Sequence, residues 1–119
     1  MKILIVDDTK TLRDLLRAAL VSAGHDVIEA ENGAIGLERF RATQPRLVIT
    51  DLHMPEMNGV ELTRAIRALP EGAGVPIFVL STEAAPEHRA EGRQAGATGW
   101  MVKPFDAGRM LATIERYAD

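Results

Sequence analysis

Four stretches of the chain are apolar without interruption and rich in β-branched residues: Lys2-Ile3-Leu4-Ile5-Val6, Arg46-Leu47-Val48-Ile49-Thr50, Val75-Pro76-Ile77-Phe78-Val79-Leu80 and Gly99-Trp100-Met101-Val102. Continuous rather than alternating hydrophobicity predicts strands buried on both faces of a parallel sheet. A fifth stretch, Asp26-Val27-Ile28-Glu29-Ala30, is more polar and is predicted at a sheet edge.

Between these stretches the period changes to that of helices. Leu12, Leu15, Leu16, Ala19 and Leu20 repeat at i, i+3, i+4 spacing behind a cap at Thr9 or Thr11, and Gly24 supplies the stop. Asn32-Gly33 opens a second helix that would bury Ile35, Leu37 and Phe40. A third, from about 59 to 69, would bury Val60, Leu62 and Ile66 before a Gly72-Ala73-Gly74 loop. A fourth begins at Pro86, a residue suited to the first helical turn, and stops near Gly96. The fifth follows Asp106 and would bury Met110, Leu111, Ile114 and Tyr117. Strand-helix alternation of this kind predicts a doubly wound α/β fold, because parallel strands require right-handed crossovers.

In such sheets ligands bind beyond the carboxyl ends of the strands. Here those ends are polar: Asp7-Asp8, Asp51, Ser81-Thr82 and Lys103-Pro104. Gathered at one edge, they would form a carboxylate pocket with a single cation. Close carboxylates repel by about 1 kcal/mol per pair in water and several-fold more at a partly buried site. Such a pocket calls for positive charge. Hard oxygen ligands favour Mg²⁺, which keeps several waters and completes its shell with a phosphate. A carboxylate can itself accept a phosphoryl group as an acyl phosphate, with the metal and Lys103 neutralising the transferring charge. Ser81 or Thr82 would then donate a hydroxyl hydrogen bond.

Composition narrows the reading. The 119 residues suit about one domain, spanning 1–119. A net charge of −3 without a basic block argues for protein partners over nucleic acid. The chain has no cysteine, which excludes disulfides and thiol chemistry. The first strand begins at Lys2, leaving no room for a signal peptide, and no apolar run approaches the ~20 residues that span a bilayer. A cytoplasmic protein is expected.

The ordered set resembles the receiver domain of response regulators along the whole chain: Asp7-Asp8, Asp51 with His53-Met54-Pro55 and Asn58-Gly59, Ser81, and Lys103-Pro104-Phe105. The fold this resemblance implies is five-stranded and flavodoxin-like, with strand order 2-1-3-4-5. It implies that Asp51 is the phosphoacceptor and that Asp7, Asp8, Asp51 and the backbone carbonyl of His53 hold Mg²⁺. Lys103 would pair with the phosphoryl group, Ser81 would supply the hydroxyl, and the Lys103-Pro104 peptide would be cis. Receivers often carry Ala or Gly where this chain has Thr82, a substitution expected to crowd the pocket. Trp100 stands where receivers carry an aromatic that turns inward when the hydroxyl moves.

Taken singly, each motif also has a plain structural use. Asp7-Asp8 can be a turn and helix cap, and Ser81 can cap the fourth helix. His25 and His88 are expected on the surface, His53 either shapes water access or is a solvated loop residue, and Met54 and Met57 are expected to pack. The fourth helix lacks a large apolar side chain, and Gly92 costs it about 1 kcal/mol relative to Ala. It is expected to pack loosely and, with the fifth strand and helix, to form an output face whose switch residues are Ser81, Trp100, Lys103 and Pro104.

Stand-alone length, Ser81-Thr82-Glu83-Ala84 and Gly96-Ala97-Thr98-Gly99-Trp100 look most like the chemotaxis, CheY-like members. That resemblance implies a monomer phosphorylated by a histidine kinase and docking the flagellar motor switch, or else a phosphate sink or relay. The contrasting class, aspartate-nucleophile phosphatases, resembles an Asp-x-Asp pattern with a cap domain, whereas the aspartates here are adjacent. Dinucleotide and P-loop signatures are missing, since Ile77 stands where a third glycine belongs after Gly72 and Gly74. Neither Ser22 nor Ser81 lies in a Gly-x-Ser-x-Gly elbow.

Overall fold

The structure is a computed structural model and describes residues 1–82 and 86–117. Strands β1 (Lys2–Val6), β2 (Asp26–Ala30), β3 (Leu47–Asp51), β4 (Ile77–Ser81) and β5 (Gly99–Val102) alternate with helices α1 (Lys10–Ser22), α2 (Gly33–Thr43), α3 (Gly59–Arg67), α4 (Pro86–Ala95) and α5 (Ala107–Glu115). All strand pairs are parallel, in the order β2-β1-β3-β4-β5. This is the doubly wound fold expected from the alternation. The order reverses between β1 and β3, so the tips of these two strands open the crevice where doubly wound sheets bind ligands.

Side chains leave alternate faces of each strand, and the core divides accordingly. Ile3 and Ile5 pack with Leu16 and Leu20 of α1 and with Met110 and Ile114 of α5. Leu4 and Val6 pack with Phe40 of α2 and with Leu62 and Ile66 of α3. A third cluster joins Leu52, Val60, Val79 and Ala95, with Trp100 laid against it. β3 is buried at all five positions, whereas β2, at the edge, is buried only at Ala30. Among the described residues no helix is long and apolar enough to cross a membrane.

Element ends shift where backbone donors run out. β4 starts at Ile77 rather than Val75, because Pro76 has no N–H and the Val75 carbonyl accepts from Arg67 instead. α3 ends at Arg67 rather than Leu69, since Leu69 precedes Pro70 and is extended at φ −86°, ψ 139°. Residues 70–72 form a single 3-10 turn that takes in the first residue of the loop expected at 72–74. Thr9 is the N-cap of α1, although its side chain makes no capping hydrogen bond.

Several burial expectations fail. β5, predicted to be buried on both faces, is half-buried from Gly99 to Met101 and 40% exposed at Val102, because it lies at the edge of the sheet. Leu15 is 56% exposed although its spacing places it beside Leu12 and Leu16. Tyr117 is 39% exposed, yet its ring meets Phe78 edge-on at 5.5 Å between centroids. The ring thus packs on the core although the residue is partly open to water. His25 is buried, because the turn after Gly24 carries it inward, where its Nδ1 lies 3.0 Å from the Met1 backbone nitrogen. His88 is half-buried rather than on the surface.

Ile66 is fully enclosed and Leu15 is not, so their truncations should separate. Ile66→Ala is expected to cost about 2–4 kcal/mol in urea unfolding and Leu15→Ala less than about 1 kcal/mol.

Candidate functional site

Parallel register brings the strand ends level. Val6 pairs with both Ala30 and Thr50, Asp51 with Leu80, and Ser81 with Val102. Asp7 and Lys103 each lie one residue beyond their strands, and both stay tied to the sheet: Asp7 N donates to Ala30 O at 3.1 Å and Lys103 N to Ser81 O at 2.8 Å. Asp7, Asp8 and Asp51 therefore converge, each offering a carboxylate oxygen within 4.8 Å of the others. Asp7 and Asp51 are buried and Asp8 is exposed, so the cluster opens to solvent on one side. Lys103 Nζ reaches Asp51 Oδ1 at 2.8 Å and Asp7 Oδ2 at 3.5 Å.

The loops are shaped to hold this arrangement. Asp7 Oδ1 accepts from Thr9 N at 2.8 Å, so the residue does close the β1–α1 turn, while its other oxygen faces the pocket and Lys103 Nζ at 3.5 Å. Asn58 and Glu61 cap α3 reciprocally, each side chain accepting from the other's backbone N–H at 2.9 Å. Gly59 lies so close to β3 that a Cβ there would stand 2.3 Å from the Asp51 carbonyl oxygen. Any side chain at 59 would push the start of α3 off the strand that carries Asp51.

Burial raises the Asp51 pKa; the Lys103 hydrogen bond opposes it, the Asp7 charge adds to it, and the net shift is upward. For Lys103, burial lowers the pKa, but the hydrogen bond and charge of Asp51, then Asp7, outweigh it and the net shift is again upward. One ammonium thus leaves three clustered carboxylates under-neutralised. Asp7 Oδ2 is also buried without a hydrogen-bond partner. An orphaned carboxylate oxygen beside two more is a donor set that fits a hard divalent cation.

A family model for the response regulator receiver domain matches residues 3–115. The chain belongs to the response regulator receiver family. This receiver is 35% identical to protein PilH of Pseudomonas aeruginosa over 113 residues, covering 95% of this chain and 93% of PilH. It superposes on the chemotaxis protein CheY4 of Vibrio cholerae with a TM-score of 0.94 at 37% identity, over 98% of each chain. The receiver domain of the sensor histidine kinase PA1611 from Pseudomonas aeruginosa superposes with a TM-score of 0.90 at 28% identity, over 98% of this chain and 95% of that one; its structure has a magnesium ion coordinated in the active-site cleft.

The remaining predicted residues of the receiver divide into two groups. Ser81 is buried at the tip of β4, and the Lys103–Pro104 peptide is cis. Thr82, expected to crowd the pocket, is exposed and lines an apolar recess with Leu12, Leu15, Lys103, Pro104 and Phe105. His53 is exposed on the loop after Asp51. Met54 and Met57 pack against the α2–α3 side of the core. Trp100 is half-buried on β5, away from the carboxylates.

Arg13 of the receiver was missed by sequence reasoning. Its Nη1 donates to the Asp7 carbonyl at 2.6 Å and its Nε to Glu29 Oε1 at 3.3 Å, while Arg17 Nη1 holds Glu29 Oε2 at 3.1 Å. The signal available was a glutamate inside the edge strand β2 opposite arginines spaced i, i+4. The acceptor itself, a backbone carbonyl, has no sequence signature.

The raised Asp51 pKa has a measurable consequence. The folded carboxyl binds its proton more tightly than the unfolded one, so stability is lost as pH rises through the window above the ordinary carboxylate value. Asp51→Asn removes that loss. At pH 7 in a chelating buffer it is expected to melt at a higher temperature than the wild type, and the difference should shrink as the pH approaches ~4.

Proposed function

We propose that this receiver is a single-domain response regulator of the cytoplasm that accepts a phosphoryl group on Asp51 from a histidine kinase, with Mg²⁺, and thereby changes an output face built from α4, β5 and α5. The observation that carries this reading is the Asp51 carboxylate itself: 6% exposed, 2.8 Å from Lys103 Nζ, and clustered with Asp7 and Asp8 within 4.8 Å. A buried nucleophile with a fixed counter-charge and an acidic neighbourhood open to solvent at Asp8 suits phosphoryl transfer, where positioning and charge neutralisation supply most of the catalysis.

In the proposed step a carboxylate oxygen of Asp51 attacks the phosphorus of a phosphohistidine. The O–P bond forms, the P–N bond breaks, and the imidazole nitrogen leaves with the electron pair and takes a proton. Asp7, Asp8, Asp51 and the His53 carbonyl would hold Mg²⁺, which when bound neutralises charge on the transferring group. Lys103, 2.8 Å from Asp51, would balance the phosphoryl oxygens. The buried Ser81 hydroxyl, rather than the exposed Thr82, is the proposed switching donor. Leu12, Leu15, Pro104 and Phe105 border Lys103 and offer the donor protein an apolar approach. Beyond its own phosphorylation and dephosphorylation, no enzymatic activity is proposed.

Phosphorylation adds about −1.5 to −2 charge and three strong acceptors beside Lys103 and Ser81. Reversing a 1:99 population needs about 5.5 kcal/mol, within reach of a few charged contacts, and Trp100 with Pro104 would carry the change outward. Likeness to the chemotaxis protein CheY4 supports the flagellar motor switch as the docking partner.

Acetyl phosphate with Mg²⁺ is expected to add one acid-labile phosphoryl group by intact mass. Asp51→Asn should abolish it; persistence of the adduct would place the acceptor elsewhere. Asp8→Ala should weaken Mg²⁺ binding in calorimetry by about tenfold or more. Lys103→Ala should remain phosphorylatable yet lose phosphorylation-dependent binding to the motor-switch protein. Phosphorylated wild type that ignores that protein would point to a relay or phosphate sink.

A further inference from the structure

α3 ends at Arg67, whose side chain runs beneath the connection between α4 and β5. Its Nε donates to Gly96 O at 2.9 Å, its Nη1 to Gly72 O at 2.7 Å and to Val75 O at 2.6 Å, and its Nη2 approaches Thr98 Oγ1 at 3.4 Å. All four acceptors are neutral, and among the described residues Arg67 has no carboxylate partner. Burial lowers its pKa. A half-buried guanidinium without a counter-ion acts through what its donors hold together, and here they tie the end of α3 to two connections, 72–75 and 96–98.

The point it holds is narrowly defined. Gly96 sits at φ +104°, and a Cβ there would lie 2.9 Å from Arg67 Cγ. Two residues on, Thr98 is fastened to β4 in both directions: its N donates to Ile77 O at 2.7 Å and its hydroxyl oxygen accepts from Ile77 N at 3.0 Å. By contrast α4, among its described side chains, buries only Gly92 and Ala95. Gly92 rests on the Trp100 ring, with a Cβ there falling 2.9 Å from Trp100 Cζ3. The ring therefore cannot move far without moving the helix above it.

We propose that Arg67 is a positioning residue of the switch: it fixes the carboxyl end of α4 and the entry to β5, so that movement of Trp100 swings α4 about Gly96 instead of displacing it bodily. This rests on the phosphorylation reading above. It also separates two jobs within one short strand: β5 is anchored just before its start through Thr98 and Gly96, and it ends at Val102, next to Lys103 in the site.

Hydrogen exchange on the intact protein, with Mg²⁺ and with or without acetyl phosphate, tests the pivot directly, phosphorylation being scored by intact mass. In phosphorylated wild type the amides of Ala97 and Thr98 should keep their exchange rates within about twofold, while those of residues 87–91 change by about fivefold or more. Arg67→Met, which keeps the stem and removes the donors, should still be phosphorylated on Asp51 but show phosphorylation-dependent exchange at Ala97 and Thr98 and less than about half of the wild-type Trp100 fluorescence response. Arg67→Lys should fall between the two. A uniform change across 87–98 in phosphorylated wild type, or an Arg67→Met protein that matches wild type in both readouts, would overturn the pivot alone. If Arg67→Met does not fold, the wild-type exchange pattern still decides. Failure of wild-type Asp51 to take up a phosphoryl group would overturn the functional reading and the pivot with it.

Discussion

Three carboxylates gathered within 4.8 Å, two of them buried, against a single ammonium at 2.8 Å, is the constraint on which the rest of the structure turns. Left to themselves these groups would move apart into water. They are held because β1 and β3 are the inner strands of the crevice, and their side chains, Ile3 to Val6 and Leu47 to Thr50, are almost wholly withdrawn from solvent. The apolar layers on both sheet faces stabilise what the acidic edge opposes. A folded state that concentrates negative charge in this way is pre-organised for a cation.

The supporting contacts are asymmetric. On the β1 side, Arg13, Arg17 and Glu29 lock the Asp7 turn through the backbone, and Gly59 lets α3 seat against the Asp51 carbonyl. On the far side, α4 contributes no large buried side chain and is fixed at its carboxyl end by Arg67. The molecule thus combines a closely tied acidic site with a lightly packed helix, joined by β5, which carries Trp100 to the helix and leads to Lys103 in the site.

Much of this was legible along the chain, and the reason differs with each residue. Asp7, Asp8, Asp51 and Lys103 were readable because each ends an apolar run, and parallel strands put such ends on one edge whatever the details of packing. Leu15 misled because helical spacing says which residues share a face, not how wide the covering layer is. Tyr117 lies past the last turn of α5, where the period no longer applies. His25 looked like a turn residue, and only the fold shows that the turn points inward. Gly92 read as a weakness of α4, whereas it is the space into which the Trp100 ring fits.

Local information determined the elements, their order and the residues at the strand tips, because periodicity, caps and chain breaks act over a few neighbours. The same local patterns carry the receiver resemblance. Tertiary structure alone decided that Asp7 Oδ2 lies buried without a hydrogen bond, that Ser81 is enclosed while Thr82 beside it is exposed, and that two arginines are occupied with carbonyl oxygens. Those facts depend on the distance between segments far apart in sequence and on backbone acceptors that every residue possesses, so no pattern of side chains along the chain announces them.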